Sequence, residues 1–198
     1  MGGETESELP LADPDDLRDR LADAGARPLG RVIETNRFFD RPDGALRREG
    51  IGLRLRSTRP TGDAIDGPAT LTVKGPRPAG ATDPANPTIL SRPELETTVG
   101  DPAEFARILE TLGYVEILLY QKRRESWILD ACRIELDDVP VLGRFVEVEG
   151  PAAAVVAQAC ARLGLDPRDG LSLPYLPRLL VHVRRHGLTP PHVLLPSS

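Results

Sequence analysis

The sequence predicts an α+β protein in which an antiparallel sheet closes into a β-barrel around a charged lumen, with helices on its outside. Three observations carry this reading. Short segments along the whole chain set charged residues at every second position against Leu, Val or Ile, and residues two apart on a strand share a face. The in-phase charges come in both signs: Glu4, Glu6, Glu8, Glu94, Glu96, Glu135, Asp137, Glu147 and Glu149 against Arg54, Arg56, Lys74, Arg92, Lys122, Arg124 and Arg133. Three amphipathic segments also need an apolar surface to cover. An open antiparallel sheet with one face in water accounts for any single strand. It accounts less well for the set, because Glu-x-Glu recurs while a solvated face has no reason to repeat it. Carboxylates crowded on one surface repel unless cations lie among them, and closure brings the two signs together.

The elements follow in order. Glu4 to Leu9 is the first strand. Asp13 caps a helix that Pro14 begins and Gly25 ends, with Leu17, Leu21 and Ala24 as its apolar stripe. Residues 31–40 form a second strand of uncertain phase, and Asp43-Gly44 marks a turn. Gly52 to Arg56 and Thr70 to Lys74 are strands around a turn-rich loop at 57–68. Residues 75–91, rich in Pro and Gly, read as a long loop. Arg92 to Glu96 is a strand with Pro93 near its start. Asp101-Pro102 to Gly113 repeats the helix signals of residues 13–25, which suggests two copies of one strand–helix–strands unit. Residues 114–129 hold one long strand or a pair, with poor alternation. A hairpin spans 133–150, turning at Pro140 and Gly143. Pro151 to Leu163 is an Ala-rich helix stopped by Gly164, and a short helix lies around Tyr175–Val181.

The bulk numbers bound the rest. The chain has 198 residues, a net charge of -5, 40% hydrophobic and 28% charged residues, as a globular chain does. One domain over residues 1–181, with a C-terminal tail at 182–198, is the natural organisation. The acidic balance gives no support to nucleic-acid binding, and no apolar run spans a bilayer. Cys132 and Cys160 match no disulfide framework and no zinc spacing, which fits buried thiols in a reducing cytoplasm.

A lumen with paired carboxylates and paired cations has a chemical use. Hard cations such as Mg²⁺ or Mn²⁺ take several oxygen ligands, and Arg and Lys complement phosphate oxygens. Together they suit a metal-bound polyphosphate.

The order E-x-E-x-E, L-R-L-R, L-T-V-K-G-P, R-P-E-L-E, K-R-R and L-D-D-V-x-x-L-G-x-F-V-E-V-E, over residues 4 to 150, resembles the CYTH superfamily. That group includes class IV adenylyl cyclases and thiamine triphosphatases among the triphosphate tunnel metalloenzymes. Phe38–Asp40 and the final L-G-x-F-V-E-V-E make it most similar to the bacterial and archaeal cyclase-like branch. The resemblance implies an eight-stranded antiparallel tunnel and a metal-dependent enzyme acting on ATP, thiamine triphosphate or tripolyphosphate. It implies metal binding by Glu4, Glu6, Glu94, Glu96, Asp137, Glu147 and Glu149. It implies phosphate binding by Arg54, Arg56, Lys74, Arg92, Lys122 and Arg124, with Lys122, Arg124 and Glu8 as catalytic positions. The family has lysine where this chain has Glu8. The lysine's absence opens a second reading, a polyphosphate-binding module that turns over little, and a third, a structural lumen of ion pairs. Glu8 at an exposed tunnel mouth would carry no functional meaning. A homodimer is compatible with the sequence, and neither a nucleic acid nor a membrane partner is expected.

Overall fold

The computed structural model describes residues 3–61, 68–78, 82–83, 86–171 and 175–196, and for residues 3–4, 82–83 and 86–87 the backbone alone. Its strands are β1 (Gly3–Pro10), β2 (Arg27–Asp40), β3 (Gly52–Pro60), β4 (Ala69–Lys74), β5 (Thr82–Asp83), β6 (Asn86–Val99), β7 (Val115–Leu129), β8 (Cys132–Val139), β9 (Gly143–Gly150) and β10 (His192–Val193). Its helices are α1 (Pro14–Asp23), α2 (Ala45–Arg48), α3 (Pro102–Thr111), α4 (Ala153–Arg162) and α5 (Tyr175–His186). Eight strands close into an antiparallel barrel in the order β1-β9-β8-β7-β2-β3-β4-β6, with β6 returning to β1. The expected barrel is therefore what forms.

The expected internal repeat is visible in the pairing. Exchanging β1-β2-β3-β4 with β6-β7-β8-β9 maps β2–β3 onto β7–β8, β3–β4 onto β8–β9, and β4–β6 onto β9–β1. The helices α1 and α3 correspond, and their caps match. Asp13 accepts from the Asp15 and Asp16 amides, and Asp101 from those of Ala103 and Glu104. Gly25 and Gly113, just past each helix, both take the left-handed conformation that a side chain disfavours.

Long-range pairing extends several elements beyond their local signals. β6 begins at Asn86, inside the predicted loop at 75–91, because residues 90–93 pair with β1. β3 runs to Pro60 because it stays paired with β2. Helix α2 has no side-chain cap and was not expected. Helix α5 continues to His186, past Val181, and Pro177 sits in its first turn, where a missing N–H costs little. β7 pairs with β8 only from Arg123 onward; β10 covers the earlier edge at Leu119 and Tyr120. No described helix is long and apolar enough to cross a membrane.

Two apolar clusters lie outside the barrel. Leu17 and Leu21 of α1, with Val156 and Cys160 of α4 and Leu163 just past its end, cover Leu9, Ile134, Leu136, Val146 and Val148. Ala106 and Leu109 of α3 cover Phe39, Leu53 and Leu55. A third cluster differs in kind. It joins Tyr175 and Leu179 of α5 to Leu118, Tyr120, Val139 and Phe145. Leu118 and Tyr120 are in phase with Lys122, Val139 with Asp137, and Phe145 with Glu147, so α5 packs on the lumen side and caps one end of the barrel.

Candidate active site in the barrel lumen

The centre of the lumen is a knot of buried ion pairs. Arg124 donates through Nε to Asp137 Oδ1 at 2.7 Å and through Nη2 to Asp137 Oδ2 at 2.6 Å. It also contacts the carboxylates of Glu135 and Glu147. Lys122 Nζ lies 2.7 Å from Asp137 Oδ2 and 3.5 Å from Glu34 Oε2. Arg56 reaches Glu34 Oε1 at 3.0 Å and donates to Asn36 Oδ1 at 2.8 Å. Burial disfavours charge here, yet the opposite signs prevail. Burial lowers Lys122, as does Arg124, but Asp137 and Glu34 raise it overall. Burial raises Glu34, but Arg124, Arg56 and Lys122 hold its carboxyl well below the usual range. Glu147 follows the same pattern and is held at about 2, mainly by Arg124 against burial.

A second knot lies toward β4 and β6. Lys74 Nζ is 3.2 Å from Glu94 and 4.0 Å from Glu6. Arg54 Nη2 stands 4.0 Å from Glu94, 3.8 Å from Glu96 and 3.2 Å from Thr72 Oγ1, which donates to Glu96 at 2.6 Å. The charged groups of this knot, with Arg124, Glu147 and Glu149, wall a cavity of about 690 Å³. On neighbouring strands Glu6 faces Glu149, and Glu8 faces Glu147.

The α5 end of the lumen is a smaller cavity of about 230 Å³ with a different lining. It shares Glu6, Arg54, Lys74 and Glu147 with the larger one, so the two meet, and adds Phe38, Ile51, Tyr120, Tyr175 and Leu176. The Phe38 and Tyr120 rings are stacked with centroids 6.1 Å apart. Tyr175 donates its hydroxyl to Asp137 Oδ2 at 3.1 Å and places its ring 5.1 Å from Lys122 Nζ. Burial, then Asp137 and Glu147, raise that hydroxyl well above its usual range, so it remains a donor.

The structure thus gathers Arg54, Arg56, Lys74, Arg124, Glu6, Glu94, Glu96, Glu147 and Glu149 around one cavity, with Arg92 and Glu8 lining its α5 end. Lys122 and Asp137 are buried in the ion-pair knot with Arg124. Glu96 stands half exposed at the open end. The Glu4 side chain lies outside the described residues; its backbone faces Arg92 across β1 and β6. Glu8 is only 8% exposed, so it is not an exposed mouth residue. Burial first, then Glu147 and Glu6, push its carboxyl up to about 9. Between these two facing acids, Glu147 is the anion, because Arg124 grips it. Asp137 has its oxygens engaged by Lys122, Arg124 and Tyr175. Among the described residues no three acids are already gathered around a common metal position.

Sequence reading missed Glu34, Asn36, Tyr120 and Tyr175. Glu34 and Asn36 share a face of β2, and fixing that strand's phase would have found them. Nothing local marks Tyr175, which α5 brings in from far along the chain.

The model of the CYTH domain matches residues 4–156. The chain belongs to the CYTH domain family. A Methanocaldococcus jannaschii protein, provisionally named an adenylate cyclase, is 26% identical over 146 residues, 74% of this chain and 75% of that relative. Among solved structures, a Vibrio parahaemolyticus protein with the same provisional assignment superposes with a TM-score of 0.74 at 18% identity, covering 91% of this chain and 98% of that one. The HpAC1 protein of Hippeastrum, provisionally an adenylyl cyclase and described as having a dominant triphosphatase activity, superposes at 0.60 with 16% identity, covering 99% and 98%. At these identities the two structures establish the shared fold.

Proposed function

We propose that this CYTH protein is a metal-dependent enzyme that hydrolyses an organic triphosphate, with the phosphate chain in the charged cavity and the organic group at the α5 end. The observation that carries this is the change in lining along one continuous lumen, from Arg56, Glu96 and Glu135, which line only the larger cavity, to Phe38, Tyr120 and Leu176, which line only the smaller, with Arg54 and Lys74 common to both. Inorganic polyphosphate alone has no use for the second region. The triphosphatase activity described for the Hippeastrum protein supports the reading.

The chain's own residues divide the work. Arg54, Arg56, Lys74, Arg92 and Arg124 bind phosphate oxygens and spread the negative charge that the leaving phosphate gathers. Asp137 holds Lys122 and Arg124 in place, and Tyr175 holds Asp137. The acids fit a hard divalent cation in kind, since Glu6, Glu147 and Glu149 offer carboxylate oxygens from the facing strands β1 and β9. When bound there, Mg²⁺ or Mn²⁺ would lower the pKa of the attacking water and offset phosphate charge. Arg124, in contact with Glu147, offers its guanidinium donors to phosphate from the same wall.

A second reading, cyclisation of ATP to cyclic AMP and pyrophosphate, is favoured by the ring-lined end, which can receive a purine, and by the provisional cyclase names of the relatives. The test is to incubate the protein with ATP, thiamine triphosphate and tripolyphosphate, each with Mg²⁺ or Mn²⁺, and identify the products. Release of orthophosphate from an organic triphosphate is expected. Cyclic AMP and pyrophosphate would establish the second reading, and no product from any of the three would defeat both.

A further inference from the structure

The two linings of the lumen meet along β7, where Tyr120 precedes Lys122 by two residues and shares its inward face. Tyr120 is 3% exposed, and its ring is fixed by packing against Phe38 and within the α5 cluster. It lines the α5-end cavity and not the larger one. Burial raises its hydroxyl above the ordinary range, against the pull of Lys122, Arg56 and Arg54, so it stays protonated and can donate. The Tyr175 hydroxyl has an acceptor in Asp137; that of Tyr120 makes no hydrogen bond among the described residues. Directly opposite Tyr120, across β2 and β7, stands Asn36. Arg56 donates to Asn36 Oδ1 at 2.8 Å, which identifies the other amide atom as the donor Nδ2. Asn36 is fully buried, and Nδ2 too has no partner among the described residues. Buried donors left unfilled are costly and rare. This stretch of wall therefore carries two uncharged donors with no oxygen to fill them, between the cations and the rings. Guanidinium and ammonium groups suit phosphate, whereas uncharged donors are matched by an uncharged oxygen.

We propose that Tyr120 is a specificity-determining residue whose hydroxyl donates to a sugar hydroxyl joining the organic group to the phosphate chain, which makes the substrate class nucleoside triphosphates. This rests on the reading of the lumen as a triphosphate site with the organic group at the α5 end. With phosphates at Arg54, Arg56 and Lys74 and the organic group toward Leu176, the linker between them passes Tyr120. A hydrocarbon linker leaves the phenol unfilled, and a sugar fills it. A site built to hydrogen-bond a substrate hydroxyl discriminates against the analogue that lacks it.

The test is calorimetric titration, with Mg²⁺ present, of tripolyphosphate and of the β,γ-imido analogues of ATP, 2′-deoxy-ATP and 3′-deoxy-ATP into the wild-type chain and Tyr120→Phe, which keeps the ring and its packing. The wild type should bind one of the two deoxy analogues about three- to tenfold more weakly than the ATP analogue, the weight of an uncharged hydrogen bond. Tyr120→Phe should lose the same factor on the ATP analogue and nothing further on that deoxy analogue, since both changes remove one interaction. Its affinity for tripolyphosphate should match the wild type, which shows that the charged cavity is intact. If Tyr120→Phe binds the ATP analogue as tightly as the wild type does, or loses equally on all three nucleotides or on tripolyphosphate as well, the hydroxyl does not read the sugar and the proposal falls while the reading of the lumen stands. If the wild type binds neither tripolyphosphate nor the ATP analogue, the reading of the lumen falls first and the proposal with it.

Discussion

At its open end the lumen is walled by Arg56, Glu96, Glu135 and Glu149, whereas at the α5 end the strand faces carry Phe38, Leu118, Tyr120 and Phe145. The change occurs within single strands. Along β7 the inward series runs Leu118, Tyr120, Lys122, Arg124, Ser126; along β2 it runs Glu34, Asn36, Phe38. Side-chain phase is kept while chemistry changes. One barrel therefore presents two environments in line, one walled mainly by charge and one where rings and apolar side chains join the charges.

The largest expected effect lies where the two regions meet. Arg124 is 8% exposed and contacts Glu135, Asp137 and Glu147. Arg124→Gln leaves those buried acids without their shared cation, and stability should fall by about 3–5 kcal/mol, as when one partner of a buried ion pair is removed. Urea denaturation of the two proteins measures this, and a change under about 1 kcal/mol would mean that the knot is loosely solvated. At the charged end, Glu147→Gln should weaken Mn²⁺ binding and remove turnover; an unchanged Mn²⁺ titration would put the ligands elsewhere. Arg54→Ala should weaken ATP binding by at least about tenfold and AMP binding by less, since it removes a charged donor to a phosphate chain that AMP lacks. The smallest and most selective effect belongs to the apolar end. Phe38→Ala should weaken ATP a few-fold and leave inorganic tripolyphosphate unchanged, and a parallel loss for both would erase the distinction between the two regions.

The same contrast explains what could be read from the sequence. A rule that sets charge inside and Leu, Val or Ile outside works on β3, β8 and β9, and it located the Arg54–Arg56 and Glu147–Glu149 pairs. It loses phase where the inside turns apolar. Residues 31–40 and 114–129 resisted assignment because Phe38, Leu118 and Tyr120 point inward while Arg37, Arg123 and Glu125 point outward and pair there. Arg37 meets Glu116, and Glu125 binds Arg18, Arg31 and Trp127. The doubled helix signal, Asp-Pro at the start and Gly at the end, was legible because caps are local. Tyr175 was not, because its contact with Asp137 depends on where α5 docks, which only tertiary packing decides.

The most direct measurement is the affinity of the wild-type chain for AMP, ADP, ATP and tripolyphosphate at one Mg²⁺ concentration and one ionic strength. Phosphates in the charged region and a base against the α5 end require affinity to rise from AMP through ADP to ATP, with ATP binding more tightly than tripolyphosphate. Equal affinity for AMP, ADP and ATP would contradict this account, because the charged cavity would then not be where the phosphate chain binds.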